Sequence, residues 1–258
     1  MSIHVGRAII VTGGSSGIGR ELAIQLAPTG AALMLIGRSQ AELEATSAMV
    51  VSAGGVEPSL FPVDIAEPGT MQRVVEEVAQ KHSYLYGLVN CAGVMFPEPI
   101  LNARPARWRA MFDINVLAVL EGCQTAVRVM RSHGQDAHIL NVSSLAVTFQ
   151  QGSVYAASKA ALEMIHQTLR SELERDKIRA SLVTPGLFAT NLGRDLEPQT
   201  FEVIAKCAAA KGLDFAQPDM SFAGDPKQVA KAMAWILESD STINIDRIVI
   251  RPPINLEY

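Results

Sequence analysis

The sequence predicts an α/β fold: a doubly wound parallel sheet of about seven strands with helices on both faces, in three layers. Three observations predict it. Short apolar runs bounded by Gly, Pro or Asn alternate with longer stretches of helical periodicity along the 258 residues. Those runs are continuously apolar rather than alternating, as strands covered on both faces are. Strand and helix succeed one another without a repeat, a low-complexity tract or a linker, so right-handed crossovers can build one sheet and one domain over 1–258.

AIIVTGG (8–14) reads as the first strand and IGRELAIQLA (18–27) as the first helix, with Ile18, Leu22 and Leu26 on one face and Pro28 as its stop. AALMLIG (31–37) is the second strand. QAELEATSAMVVSAGG (40–55) is a helix ended by Gly54-Gly55. PSLFPVD (58–64) is the third strand, followed by a helix over 67–82 that turns Met71, Val74, Val75 and Val78 inward. YGLVNCAG (86–93) is the fourth strand, and a long helix runs from about Pro105 to Arg131. AHILNVSS (137–144), RASLVTPG (179–186) and NIDRIVIRP (244–252) complete the strands, with helices near 153–175 and 225–239 between them. The segment 187–224 breaks the regularity. It holds a short helical stretch at 201–210 among Pro- and Gly-marked loops, and it follows a strand's C-terminal end, where it would cover the ligand crevice.

Composition narrows the function. A chain that is 48% hydrophobic can bury one sizeable core. A net charge of −4 argues against a nucleic-acid or anionic-membrane surface. No apolar run approaches the ~20 residues of a membrane span, and the N-terminus lacks a secretory cleavage site. Cys91, Cys123 and Cys207 are odd in number and widely spaced, which predicts a reducing cytoplasmic setting without disulfides. The histidines His4, His82, His133, His138 and His166 form no metal-ligand spacing, so no metal is expected.

Chemistry is signalled first by TGGSSGIG (12–19), between the first strand and the first helix. Glycines at 13, 17 and 19 let the backbone turn tightly and approach a pyrophosphate, and the helix N-terminus supplies free N–H donors. The loop from Gly13 through Ser15, Ser16, Gly17, Ile18 and Gly19 is therefore a candidate dinucleotide cradle. The end of the second strand chooses the cofactor. It offers Gly37 and Arg38, with no Asp or Glu between Leu33 and Gln40. A carboxylate there would suit a 2′-hydroxyl and repel a 2′-phosphate, whereas a guanidinium takes the phosphate bidentately, so NADP(H) is expected over NAD.

YAASK (155–159) then sets a phenol and an ammonium four residues apart, on one helical face. Neither titrates near neutrality alone; a cation beside the phenol would lower its pKa and make it a proton-transfer group.

Gly13-x3-Gly17-x-Gly19, Asn90-Cys91-Ala92-Gly93, Asn115, Ser143-Ser144, Tyr155-x3-Lys159 and Pro185-Gly186-x3-Thr190 stand in the order and approximate spacing of the short-chain dehydrogenase/reductase family, which the chain resembles over essentially its whole length. The resemblance implies a Rossmann-type fold. It implies that Asp64 and Ile65 hold an adenine, that Asn90, Ala92 and Gly93 lie behind the adenosine ribose, and that Pro185, Gly186 and Thr190 orient the nicotinamide carboxamide. Asn115, Ser144, Tyr155 and Lys159 look like the catalytic tetrad: Tyr155 donates the proton to a carbonyl oxygen, a serine hydroxyl hydrogen-bonds that oxygen, and Lys159 binds the nicotinamide ribose and lowers the phenol's pKa. Asn115, poorly suited to an apolar helix interior, is expected at a local bend that holds a water.

The chain departs from the family in three places. The stretch 145–154 is about two residues shorter than is common, Cys91 replaces a frequent Asn, and the C-terminus ends in a strand followed by Arg251-Pro252 rather than a Gly-rich close. Crevice walls are expected at Val94–Pro97, Leu145–Gln151, Leu187–Leu192 and 195–223, mostly apolar with Arg194, Lys206 and Lys211 as fixed cations, which favours a neutral carbonyl or alcohol substrate. The resemblance also implies a homodimer or homotetramer.

Overall fold

The computed structural model describes residues 3–96, 98–148, 153–193 and 223–253. Within them one seven-stranded sheet has the order β3-β2-β1-β4-β5-β6-β7, every pair parallel. In chain order the elements are β1 (Ala8–Thr12), α1 (Gly17–Leu26), β2 (Ala32–Gly37), α2 (Gln40–Ser52), β3 (Ser59–Pro62), α3 (Thr70–Lys81), β4 (Leu85–Asn90), α4 (Pro105–Phe112), α5 (Ala118–His133), β5 (Ala137–Val142), α6 (Ser153–Glu172), β6 (Ile178–Pro185), α7 (Pro226–Glu238) and β7 (Arg247–Ile250). The expected segment 201–210 lies outside the described residues, as do Pro97, Phe149–Gln151, Arg194, Lys206, Cys207 and Lys211.

Every residue of β1, β4, β5 and β6 is buried, which explains their unbroken apolar runs. Ala8 and Ile10 of β1 enter a core with α3, α5 and α6, while Ile9 and Val11 enter the opposite one with α1, α2 and α7. Leu22 and Leu26 of α1 are fully buried, each contributing roughly 1.5–3 kcal/mol of burial. Local signals set the ends. Ser39 caps α2 by accepting from the Glu42 N–H, and Pro28 sits in the 3₁₀ turn that closes α1.

The long central helix carries an irregularity: between α4 and α5, residues Asp113–Leu117 form a π-helical turn. The continuous helix Pro105–His133, 29 residues long, reaches the length and, over its most apolar part, the mean hydropathy of a membrane span, although Asp113 and Glu121 interrupt it and no uninterrupted apolar run of that length is present. That part is 61% buried inside the protein, as a core helix packed on a sheet is.

Strand order reverses between β1 and β4, so a crevice opens beyond the C-terminal ends of these strands. The register Val11↔Val89, Asn90↔Asn141 and Val142↔Val183 brings the ends of β1, β4, β5 and β6 level there. At the opposite edge of the sheet lies a buried polar cluster around Arg179. Arg179 of β6 donates to Ser239 Oγ, to the Asp240 and Ile243 carbonyls just past α7, and to Tyr86 Oη at 3.0 Å. His4 and His138 are fully buried beside it.

Candidate active site

Thr12, the last residue of β1, joins two strand ends. Its Oγ1 accepts from the Cys91 and Ala92 N–H groups, both at 3.0 Å, and donates to the Val89 carbonyl. The glycine loop then passes under this clasp. Gly13 has φ +73, and a Cβ there would lie 3.0 Å from Ala92 Cα; a Cβ on Gly19 would lie 2.4 Å from the Gly13 carbonyl oxygen. Ser16 caps α1 without any side-chain bond, so the first N–H donors of the helix are left to a ligand. Ser15 stands against Gly37, and a Cβ on Gly17 would lie 3.4 Å from Thr190 Cβ, which brings the β6 loop onto the same cradle. Ile18 packs on the core behind the loop.

Arg38 is exposed at the end of β2. Nearby Arg20 is already committed: it donates to the Ser15 carbonyl, to Thr46 at 3.0 Å and to Glu42 at 2.5 Å. Past β3, Asp64 turns the chain by accepting from the Ala66 N–H, and Ile65 lines a cleft of about 230 Å³ with Ala66, Pro68, Asp113, Leu117, Ala118 and Glu121. Gly93 is tightly placed, since a Cβ there would lie 3.2 Å from Asn115 Oδ1 and 3.5 Å from Lys159 Nζ. Gly186 donates its N–H to the Ile250 carbonyl at 2.7 Å, behind Pro185 at the end of β6. Asn90 ends β4, just ahead of Ala92 and Gly93. It is buried and its amide is spent on Asn141 Oδ1 at 2.8 Å and Cys123 Sγ, so its side chain braces β4 against β5 and does not open onto the crevice. The remaining residues make a backbone-lined cradle that any added Cβ would fill, with an uncapped helix start at its centre; they fit a dinucleotide.

Across this cradle stands α6. Ser153 opens it at φ +53, its hydroxyl donating to the Glu98 carbonyl. Burial pushes the Glu98 carboxyl up, but hydrogen bonds and charge from Arg104, with the charge of Arg107, carry it below the usual range. Tyr155 is 3% exposed, and Ser144 stands beside its phenol, its own Oγ accepting from the Ala146 N–H at 3.2 Å. Ser143 turns elsewhere, donating to Glu163 Oε1 at 2.7 Å. Lys159 Nζ donates to the Val142 carbonyl at 2.8 Å.

The electrostatics correct one expectation. Burial raises the Tyr155 phenol to about 12, opposed by the Ser144 hydroxyl, so in this state the lysine does not bring it down. The physical reason is that the same burial lowers Lys159 to about 8, opposed by Cys91, while its ammonium is turned to a backbone carbonyl. Burial raises the Cys91 thiol to about 12, opposed by Lys159.

Asn115 lies inside the π turn, at the position where a bend was expected, and its side chain is occupied. Oδ1 accepts from the Val94 N–H, and the amide donates to the Val94 carbonyl and to Ser158 Oγ, each at 3.0 Å. Asn115 thus ties the strand following β4 to α6, because Ser158 in turn donates to the Tyr155 carbonyl at 2.7 Å. Sequence reasoning missed Thr12, Ser158 and Glu163. Two of them sat within the quoted motifs, and Glu163 falls four residues after Lys159 on the same helical face.

The short chain dehydrogenase family model matches residues 7–200. An uncharacterised oxidoreductase of Staphylococcus saprophyticus is 30% identical over 249 residues, covering 95% of this chain and 97% of that protein. A short chain dehydrogenase from Burkholderia cenocepacia, solved in complex with NADP, superposes with a TM-score of 0.80 at 26% identity, covering 97% of this chain and 98% of that one. The L-sorbose reductase of Gluconobacter frateurii, solved with NADPH and L-sorbose, gives a TM-score of 0.80 at 25% identity, with 98% of each chain covered. The family match spans most of the chain and the fold agrees throughout, so this protein belongs to the short-chain dehydrogenase family and is an oxidoreductase.

Proposed function

We propose that the protein is an NADP(H)-dependent reductase of a ketone or other carbonyl, working reversibly on the corresponding secondary alcohol. The observation that carries this reading is the buried Tyr155 phenol, held protonated at neutral pH with Ser144 beside it, across the crevice from the glycine cradle. A protonated phenol is the form that carbonyl reduction consumes. Bound NADPH supplies the hydride. As charge builds on the carbonyl oxygen, Tyr155 Oη gives up its proton to that oxygen and the Ser144 hydroxyl stabilises the developing anion. Lys159, one turn further along α6, is cationic at neutral pH and compensates the phenolate left behind. In the alcohol-oxidising direction the same phenolate takes the proton back.

The exposed Arg38 and the NADP- or NADPH-bound relatives support the cofactor assignment. The deep burial of Tyr155 supports a neutral substrate. The test is a panel of a β-keto ester, an alicyclic ketone, an aromatic ketone and a keto sugar, read by loss of NADPH absorbance. Tyr155→Phe is expected to lower kcat by about 10²–10⁴-fold while NADPH still binds. Undiminished turnover by that variant would remove the phenol from the chemistry and the reading with it.

A further inference from the structure

The geometry points to Glu163 as a positioning residue for the proton donor, acting through Ser143. This rests on the catalytic reading of Tyr155 given above and extends it to a residue outside the tetrad.

Residues 155, 159 and 163 are spaced by four on α6 and so share one face. All three grip the end of β5 and the residues just past it. The Tyr155 phenol stands beside Ser144, Lys159 Nζ holds the Val142 carbonyl at 2.8 Å, and Glu163 Oε1 accepts from Ser143 Oγ at 2.7 Å. Three consecutive strand-end residues are thus matched by three successive helical turns. The middle one, Ser143, is fixed twice, because its N–H also donates to the Val183 carbonyl at 2.8 Å, continuing the β5–β6 ladder.

Glu163 is itself held. Its Oε2 meets Arg247 Nη2 of β7 at 2.5 Å, and its side chain is only 12% exposed. The arginine compensates the carboxylate and stops it from rotating, and the carboxylate makes a charge-assisted bond to the serine hydroxyl. With Ser143 pinned in its rotamer and its peptide pinned in the sheet, the next residue has little freedom, and Ser144 is kept facing the phenol. Among the described residues Glu163 hydrogen-bonds to Ser143 and Arg247 and not into the cradle. Its effect on turnover must pass through the β5–α6 seam.

The test compares Glu163→Ala, Glu163→Gln, Ser143→Ala and the Glu163→Ala/Ser143→Ala double variant of the full chain, using NADPH and the ketone of the panel that the parent reduces fastest. Glu163→Ala and Ser143→Ala are each expected to lower kcat about tenfold, with the NADPH dissociation constant from fluorescence titration within about twofold of the parent. The double variant should be no worse than either single, because both remove one bond. Gln keeps an acceptor oxygen for Ser143, so Glu163→Gln should recover to within about threefold of the parent. The alkaline-rising limb of alcohol oxidation with NADP should move to higher pH in the Ala variants, since loosening Ser144 moves away a hydroxyl that favours phenolate. A kcat within about twofold of the parent for both Ala variants, additive losses in the double, or a Gln variant as impaired as Ala would overturn the inference. Should Glu163→Ala fail to fold, Ser143→Ala carries the same comparison. Tyr155→Phe separates the two levels: if it keeps activity, the catalytic reading and this inference fall together. If it is inactive while Glu163→Ala and Ser143→Ala are normal, only the positioning role falls.

Discussion

Arg38 stands exposed beside Gly37, whose missing side chain leaves room for Ser15 on the cradle. The nearest carboxylate on α2 that the hydrogen bonds reveal, Glu42, is already paired with Arg20 at 2.5 Å. A 2′-phosphate arriving there would meet a guanidinium and a neutralised acid. A charge-assisted bond of this kind contributes ~1.5–3 kcal/mol, so Arg38→Ala should raise the KM for NADPH by about ten- to a hundredfold and leave the KM for NADH nearly unchanged. Equal KM values before and after, with NADPH still preferred, would clear Arg38 of the role. Single residues were legible where their signal is local: glycines at a strand–helix junction, or two groups four apart. They were illegible where a partner is remote. Nothing in the sequence says that Asn90 spends its amide on Asn141, 51 positions away, or that the lysine beside the phenol turns to a carbonyl while burial takes over the phenol's pKa.

Elements were legible almost to their ends, because apolar runs and stop signals are properties of short windows. β1, β2 and β5 end within about two residues of the expected positions, and Pro28 and Gly54 mark the helix stops as read. The π turn at Asp113–Leu117 was anticipated only as a bend at Asn115, since its form depends on what Asn115 bonds across the fold. The short outer strands β3 and β7, with only part of their surface covered, came out shorter than their apolar runs because an edge lacks a second ladder. The junction of β1 and α1 makes the sharpest demand on any element. A methyl on Gly19 would sit 2.4 Å from the Gly13 carbonyl oxygen, so the helix start cannot accept one without moving off the loop. Gly19→Ala should weaken NADPH binding at least about tenfold by fluorescence titration, because the cradle's donors are displaced together. Binding at the parent's affinity would show that the loop is not the phosphate site.

On the scale of the whole molecule, the two edges of the sheet have different tasks. The C-terminal edge carries the crevice, and the N-terminal edge carries Arg179 with two neutral histidines. Burial, then the charges of Arg179 and His4, lowers His138 to about 3; burial, then Arg7 and Arg179, lowers His4 to about 4. The unfolded chain binds these protons near pH 6.5 and the folded chain does not, so stability is complete above that pH and is lost as pH falls toward 3–4. With the slope rising to 1.36 kcal/mol per unit below the half-titration point, His138 alone takes away about 1.6 kcal/mol between pH 6.5 and 5. Urea unfolding at those two pH values should show that loss, and His138→Gln should flatten the dependence. A variant with the parent's slope would mean that other groups set the acid limit.

The grip of α6 on the end of β5 has a consequence for how such a chain can change. One residue added inside the helix would swing its lower half by about 100°, and one added inside the strand would flip every following side chain, so either would pull the phenol from its serine. The connection that follows Ser144 begins with a single 3₁₀ turn, Leu145–Thr148, which carries no strand or long-helix phase. Its length can drift, reshaping the room offered to a guest molecule, while the machinery that hands over the proton stays where it is.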